Sequence, residues 1–156
     1  MPPEPSPYIA VVGASQAGEK ELTAAETVGR VLGAAGATVI TGGRGGVMEA
    51  ASRGAASAGA TTIGLLPGSD RADANPYVTV AIPTGLGELR NGLIIRAADA
   101  VVAVGGAYGT LSEVALALRA GLHVVGIDTW QIEGIEQAPT AEEAAQKALH
   151  YARADA

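Results

Sequence analysis

The stretch Val101-Val-Ala-Val-Gly-Gly-Ala-Tyr-Gly-Thr-Leu-Ser-Glu113 runs from an apolar segment through glycines into a helical segment that carries a carboxylate. A strand that turns on glycine into a helix makes an anion site. The N–H groups of the loop and of the helix's first turn have no partner within the helix, and the helix dipole adds partial positive charge at that end. Gly105, Gly106, Tyr108, Gly109 and Thr110 are therefore candidate phosphate ligands, with Glu113 at the mouth of the loop.

The same alternation extends in both directions. Upstream, Tyr8 to Gly13 is an apolar run ending in glycine, and Glu19 to Leu32 carries Leu22, Ala25, Val28, Val31 and Leu32 at helical spacing. Thr38 to Thr41 reads as a strand, Gly42-Gly-Arg-Gly-Gly46 as a loop and Val47 to Ala58 as an alanine-rich helix. Thr61 to Leu66 is a third strand stopped by Pro67-Gly68, Ser69 to Pro76 a mobile polar loop, Val78 to Ile82 a fourth strand and Leu86 to Ala98 a helix. Downstream of the strand over 101–104, Thr110 to Ala120 reads as a helix, His123 to Ile127 as a sixth strand and Thr140 to Ala152 as a closing helix. Strands that alternate with helices, each a continuous apolar run, predict a mainly parallel sheet covered on both faces. The expected fold is one doubly wound, Rossmann-like α/β domain over residues 8–156, preceded by a disordered or extended tail over residues 1–7. In such sheets ligands bind at the carboxyl ends of the strands, near the point where strand order reverses.

Composition narrows the function classes. At 156 residues and 48% hydrophobic, the chain can bury a substantial core. A net charge of −6 argues against nucleic acid as a partner, since a phosphate-backbone binder needs a basic face. There is no cysteine, hence no disulfide, thiolate metal site or thiol nucleophile. The proline-rich start lacks the basic and apolar regions of a signal peptide, and no apolar stretch approaches the ~20 residues needed to span a bilayer. A cytoplasmic location without membrane association is the default expectation. His123 and His150 are isolated, and no His/Asp/Glu cluster has metal-ligand spacing, so no metal site is expected.

Each candidate group has a structural reading beside the functional one. Gly42, Gly43, Arg44, Gly45 and Gly46 can form a second phosphate cradle, with Arg44 adding charge, or a tight strand-to-helix turn. In the first loop, Gly13-Ala-Ser-Gln-Ala-Gly18 lacks the spacing of a P-loop or a dinucleotide fingerprint. Its Ser15 can donate to a phosphate or cap a helix. Thr110-x-x-Glu113 fits a capping box, in which both side chains only satisfy free helix N–H groups. A carboxylate there can also orient water and stabilise an oxocarbenium-like transition state of glycosidic cleavage. Arg90 is a solvated surface residue or a substrate-positioning cation, and Tyr108 can stack on a base or pack on the loop. Asp99 ends the helix.

Gly106, Gly109, Thr110 and Glu113 together resemble the P-G-G-x-G-T-x-x-E signature of the LONELY GUY phosphoribohydrolases. Gly105 stands where that family has proline and Ala107 where it has a second glycine, while Arg90-Asn91 replaces the family's Arg-Lys pair. These departures resemble the sister branch that contains molybdenum cofactor carrier proteins, and the likeness spans about Tyr8 to Ala152. The resemblance implies that Glu113 is the catalytic glutamate and Arg90 the paired catalytic arginine, with Asn91 beside them in the ligand site. The favoured expectation is an N-glycosidase that releases base and ribose 5-phosphate from a nucleoside 5′-monophosphate, with no required cofactor. The alternative is a non-catalytic carrier in which the same loops hold the phosphate of the molybdenum cofactor as a bound ligand. Helices over 86–98 and 110–120 carry apolar residues on more than one face, which predicts a homodimer or a dimer of dimers, as the resemblance also implies.

Overall fold

Seven strands and five α-helices, with two 3-10 turns, make up the chain in a computed structural model that describes residues 2–155; Met1 and Ala156, the outer ends of the expected tail and domain, lie outside it. The strands are β1 (Tyr8–Gly13), β2 (Thr38–Thr41), β3 (Thr62–Leu66), β4 (Val80–Pro83), β5 (Ala100–Val104), β6 (Val124–Ile127) and β7 (Ile135–Gln137). Their order is β4-β3-β2-β1-β5-β6-β7 and every neighbouring pair is parallel. The helices are α1 (Glu19–Ala34), α2 (Val47–Ser57), α3 (Arg90–Ala97), α4 (Tyr108–Arg119) and α5 (Ala141–Ala154).

Successive side chains of a strand point to opposite faces, so a strand buried on both sides must be apolar throughout. Ile9 and Val11 of β1, with Val39, Val102, Val104 and Val125, enter a core closed by α1, α2 and α5. Ala10 and Val12, with Ile40, Val101 and Ala103, enter a second core closed by Ile94 and Ile95 of α3 and Val114 and Ala117 of α4. This is a doubly wound Rossmann-like sheet. The chain starts at its centre, moves outward through β2, β3 and β4, then returns to β5. The reversal falls between β1 and β5, where Gly13 pairs with Val104, and the loops after β1 and β5 leave from that crevice.

The sheet is wholly parallel among the described residues, which bears out the expected mainly parallel, doubly wound fold. Four details differ from the expectation. The strand expected over 78–82 begins at Val80, because Thr79 is held by its side chain: its N–H donates to Thr62 Oγ1 at 2.8 Å, and its Oγ1 accepts from the Thr62 N–H at 2.6 Å. The helix expected over 86–98 is a 3-10 turn, Gly87–Leu89, followed by α3, since Gly85 and Gly87 take positive φ and turn the chain first. The loop over 69–76 holds its own 3-10 turn, Arg71–Asp73, capped by Asp70; Asn75 anchors it to the carbonyls of Gly43 and Arg44. Strand β7 was not foreseen; it is three residues long and lacks an apolar run. Asp99 follows the end of α3 and its carboxylate accepts the Tyr8 N–H at 2.8 Å, tying the start of β1.

Candidate functional site

The first two glycine loops lock together. Val47 N–H donates to the Ala14 carbonyl at 3.1 Å, and Gly46, at φ 65°, lets α2 start directly against the Ala14 and Ser15 carbonyls, where any Cβ would collide. Gly13 is as constrained, since a Cβ there would meet Val47 at 2.6 Å. Ser15 is exposed and does not cap α1, whose N-cap is Gly18 without a side-chain hydrogen bond. The capping alternative for Ser15 is thereby excluded. Gly43 N–H is taken by Thr41 Oγ1 at 3.0 Å, while Gly45 lies 3.8 Å from the Ser15 carbonyl as measured from the Cβ position it lacks.

Arg90 reaches this second loop from the first residue of α3. A Cβ on Gly42 would strike its guanidinium and stand 2.7 Å from Met48 Sδ, so glycine at this position clears the path of the arginine. The Arg90 Nε is buried with no hydrogen-bond partner. Burial pulls its pKa below the usual range; Glu113 opposes that shift, and Arg44 adds to it. Arg44 itself is exposed and its carbonyl accepts from Asn75. Asn91 sits next to Arg90 on α3, partly buried.

The third loop delivers the carboxylate. Helix α4 begins at Tyr108 behind an extended Ala107 that has no capping side chain, so Thr110 is already inside the first turn. The capping-box alternative for Thr110 and Glu113 is overturned: the helix starts two residues before the expected position, and neither side chain reaches back to its N-terminus. Thr110 is 2% exposed and its hydroxyl has no partner. Glu113 is 8% exposed, and desolvation pushes its carboxyl up to about 7 against the opposing pull of Arg90. No direct ion pair joins the two among the described residues. An uncapped helix N-terminus, an unpartnered hydroxyl and an unpartnered guanidinium nitrogen are all donors awaiting an acceptor. Such a set suits a phosphate.

The carbonyl of Ile127 in β6 accepts the Gly105 N–H at 2.9 Å, which seats the third loop beside the end of that strand. There Trp130, absent from the sequence-based candidates, donates its Nε1–H to the Ala107 carbonyl at 3.3 Å and lies beside Tyr108. Tyr108 is 82% exposed and does not pack into the loop. The available signal was that this is the chain's single tryptophan. A separate cavity of about 220 Å³ opens between α1 and α5, lined by Lys20, Glu21, Asp128 and Thr140 among others; neither Arg90 nor Glu113 borders it. No group of three or more His, Cys, Asp or Glu side chains among the described residues can hold a metal.

A doubly wound α/β protein with glycine loops at the switch point belongs to the Rossmann-like class, whose members bind their ligands in that crevice. Within that class, the chain belongs to the SLOG cluster4 family, whose model matches residues 6–155, which bears out the LONELY GUY-like resemblance. A relative in Archaeoglobus fulgidus, itself uncharacterized, is 39% identical over 137 residues, 87% of this chain and 90% of that protein. Among solved structures, the molybdenum cofactor binding protein of the phototrophic bacterium Rippkaea orientalis superposes with a TM-score of 0.88 at 34% identity, covering 95% of this chain and 98% of that one. The molybdenum cofactor carrier protein of Chlamydomonas reinhardtii does so with a TM-score of 0.86 at 34% identity, covering 94% and 98%.

Proposed function

We propose that this protein is a carrier that binds the molybdenum cofactor, a phosphorylated pterin, through the glycine loops at the switch point. The observation that carries the reading is the pairing of two near-full-length molybdenum-cofactor-binding neighbours with a site of unpartnered donors at the uncapped start of α4. The cofactor is the cargo here. Its phosphate suits the N–H groups of α4's first turn and the Thr110 hydroxyl, with Arg90 and Arg44 supplying charge. The chain has no cysteine, so it offers the metal no thiolate.

A second reading has its own support. A carboxylic acid whose pKa lies near 7, facing an arginine, is poised to exchange a proton at neutral pH, as glycosidic cleavage of a nucleoside monophosphate requires. The two readings separate by experiment. Protein purified from a cofactor-producing host is extracted, and its small molecules are weighed by mass spectrometry, alongside an assay for base release from a panel of nucleoside monophosphates. Copurified molybdopterin without base release is the expected result. Base release that falls by ~100-fold or more in Glu113→Gln, the scale of lost transition-state charge stabilisation, would instead establish the hydrolase.

Phosphate recognition is common to both. A phosphate monoester is expected to bind at least ~10-fold more tightly than the matching phosphate-free compound, since each charge-assisted contact contributes about 1.5 to 3 kcal/mol. Arg44→Ala and Arg90→Ala should narrow the gap in calorimetry; equal affinities in the wild type would remove the phosphate argument. The protein is further proposed to act in the cytoplasm as a homodimer or dimer of dimers packed through α3 and α4.

A further inference from the structure

We propose that Tyr108 and Trp130 form an open aromatic platform that takes the flat heterocycle of the ligand whose phosphate sits in the glycine loops. The idea rests on the phosphate-ligand reading above and adds the second half of the site. Aromatic rings are scarce in this chain, which has four tyrosines, one tryptophan and no phenylalanine. Two of those five meet at the start of α4. Their ring centroids are 6.1 Å apart at an interplanar angle of 28°, a loosely stacked pair of which Tyr108 is exposed and Trp130 half-buried. Tyr108 is 82% exposed at the very residue where the helix begins, so packing does not explain its size.

The tryptophan is held where it stands. Its Nε1–H donates to the Ala107 carbonyl, and its own carbonyl accepts from Gln137 Nε2 at 3.2 Å, so β7 braces the segment that carries it. Gly106 connects this platform to the phosphate donors. A Cβ built on Gly106 would lie 3.1 Å from Trp130 Nε1 and 3.2 Å from Thr110 Cβ, so the indole edge and the side chain of Thr110 border the same bare stretch of backbone. The Thr110 hydroxyl, almost fully buried and unpartnered, gives that spot a polar donor independent of the helix terminus. A ligand with an anionic end and a planar aromatic end is what such a combination recognises, since rings stack on any π-face while the phosphate fixes orientation.

Because Trp130 is the only tryptophan, emission excited at a wavelength selective for indole reports this position alone. Pterin and adenosine, both phosphate-free, are titrated against the protein with ribose 5-phosphate in parallel, correcting for absorption by the probes. Pterin is expected to quench the emission saturably. Tyr108→Ala should weaken that binding at least fivefold, Tyr108→Phe should restore it, and circular dichroism should show both variants folded. No saturable quenching by either heterocycle at millimolar concentration, or quenching indifferent to Tyr108→Ala, overturns the platform. Calorimetric silence of ribose 5-phosphate, with pterin still quenching, would overturn the phosphate reading and leave the platform standing.

Discussion

Glu113 is a carboxylate in a place that does not suit its charge, and that decides its behaviour with pH. Burial outweighs the attraction of Arg90, so the folded-state pKa rises from 4.5 to about 7. Between those values the native state binds a proton that the unfolded chain has released. Stability is therefore highest below pH 4.5 as far as this group is concerned, falls as pH rises through that window, and levels off above it. The penalty at pH 8 is on the order of 3 kcal/mol. Glu113→Gln removes it, so the variant's denaturant stability relative to wild type should grow between pH 5 and pH 8. A difference that stays flat across that range would show the carboxyl to titrate normally. Gly42 decides the position of the opposing arginine. Gly42→Ala places a methyl group on the guanidinium path and displaces that flexible side chain, so it is expected to weaken phosphate binding in calorimetry.

At the scale of elements, the tightest joint in the molecule is the crossing of α1 and α2. A Cβ on Gly29 would run into the Ala51 carbonyl, and one on Gly54 into the Glu26 carbonyl, so the two backbones touch where each helix carries glycine. Glycine inside a helix costs about 1 kcal/mol of propensity, a cost offset here by the close approach it permits. Arg53 closes the same joint with Glu26 at 3.3 Å. Gly29→Val must push the helices apart, and thermal denaturation should show a loss of about 3 kcal/mol or more, far beyond that of Gly18→Val, where a Cβ meets nothing. Equal losses at both positions would refute the contact as the cause. The helical periodicity of 19–32 announced α1, but nothing in it said that Gly29 faces another backbone. In the same way the apolar run 101–104 announced β5, whereas β7 is specified by backbone pairing to β6 and by Gln137, which hold it without an apolar pattern.

Across the whole molecule the apolar surface is uneven. Leu89 is 79% exposed, and Leu86, Leu93 and Leu116 join it on the side of α3 and α4, with Val80 and Ile82 on the free edge strand β4. Exposed leucines on two helices and an open outer sheet edge at β4 are surfaces that monomers usually cover. A dimer packed through α3 and α4, as proposed, would cover the leucines. Light scattering at micromolar concentration should give at least twice the 15.4 kDa of the chain, and Leu89→Glu with Leu93→Glu should return the mass to that of a single chain. A wild-type monomer, or a dimer that survives both substitutions, would defeat the assignment of this face.

What the amino-acid sequence determined by itself was everything that depends on local pattern: the alternation of strand and helix, a parallel doubly wound sheet, the three glycine loops at strand ends, and the family likeness carried by Gly106, Gly109, Thr110 and Glu113. Those follow from periodicity and from the backbone demands of glycine, which act over a few residues. Tertiary structure decided which alternative each group takes. Thr110 and Glu113 are not a capping box because the chain enters α4 two residues earlier than expected, and Glu113 is a near-neutral acid because helix packing removed its water. Trp130 stands twenty-two positions beyond Tyr108 in the chain, and only the parallel pairing of β5 with β6 brings the two rings together. Burial and long-range contact are properties of the packed chain, and no local window contains them.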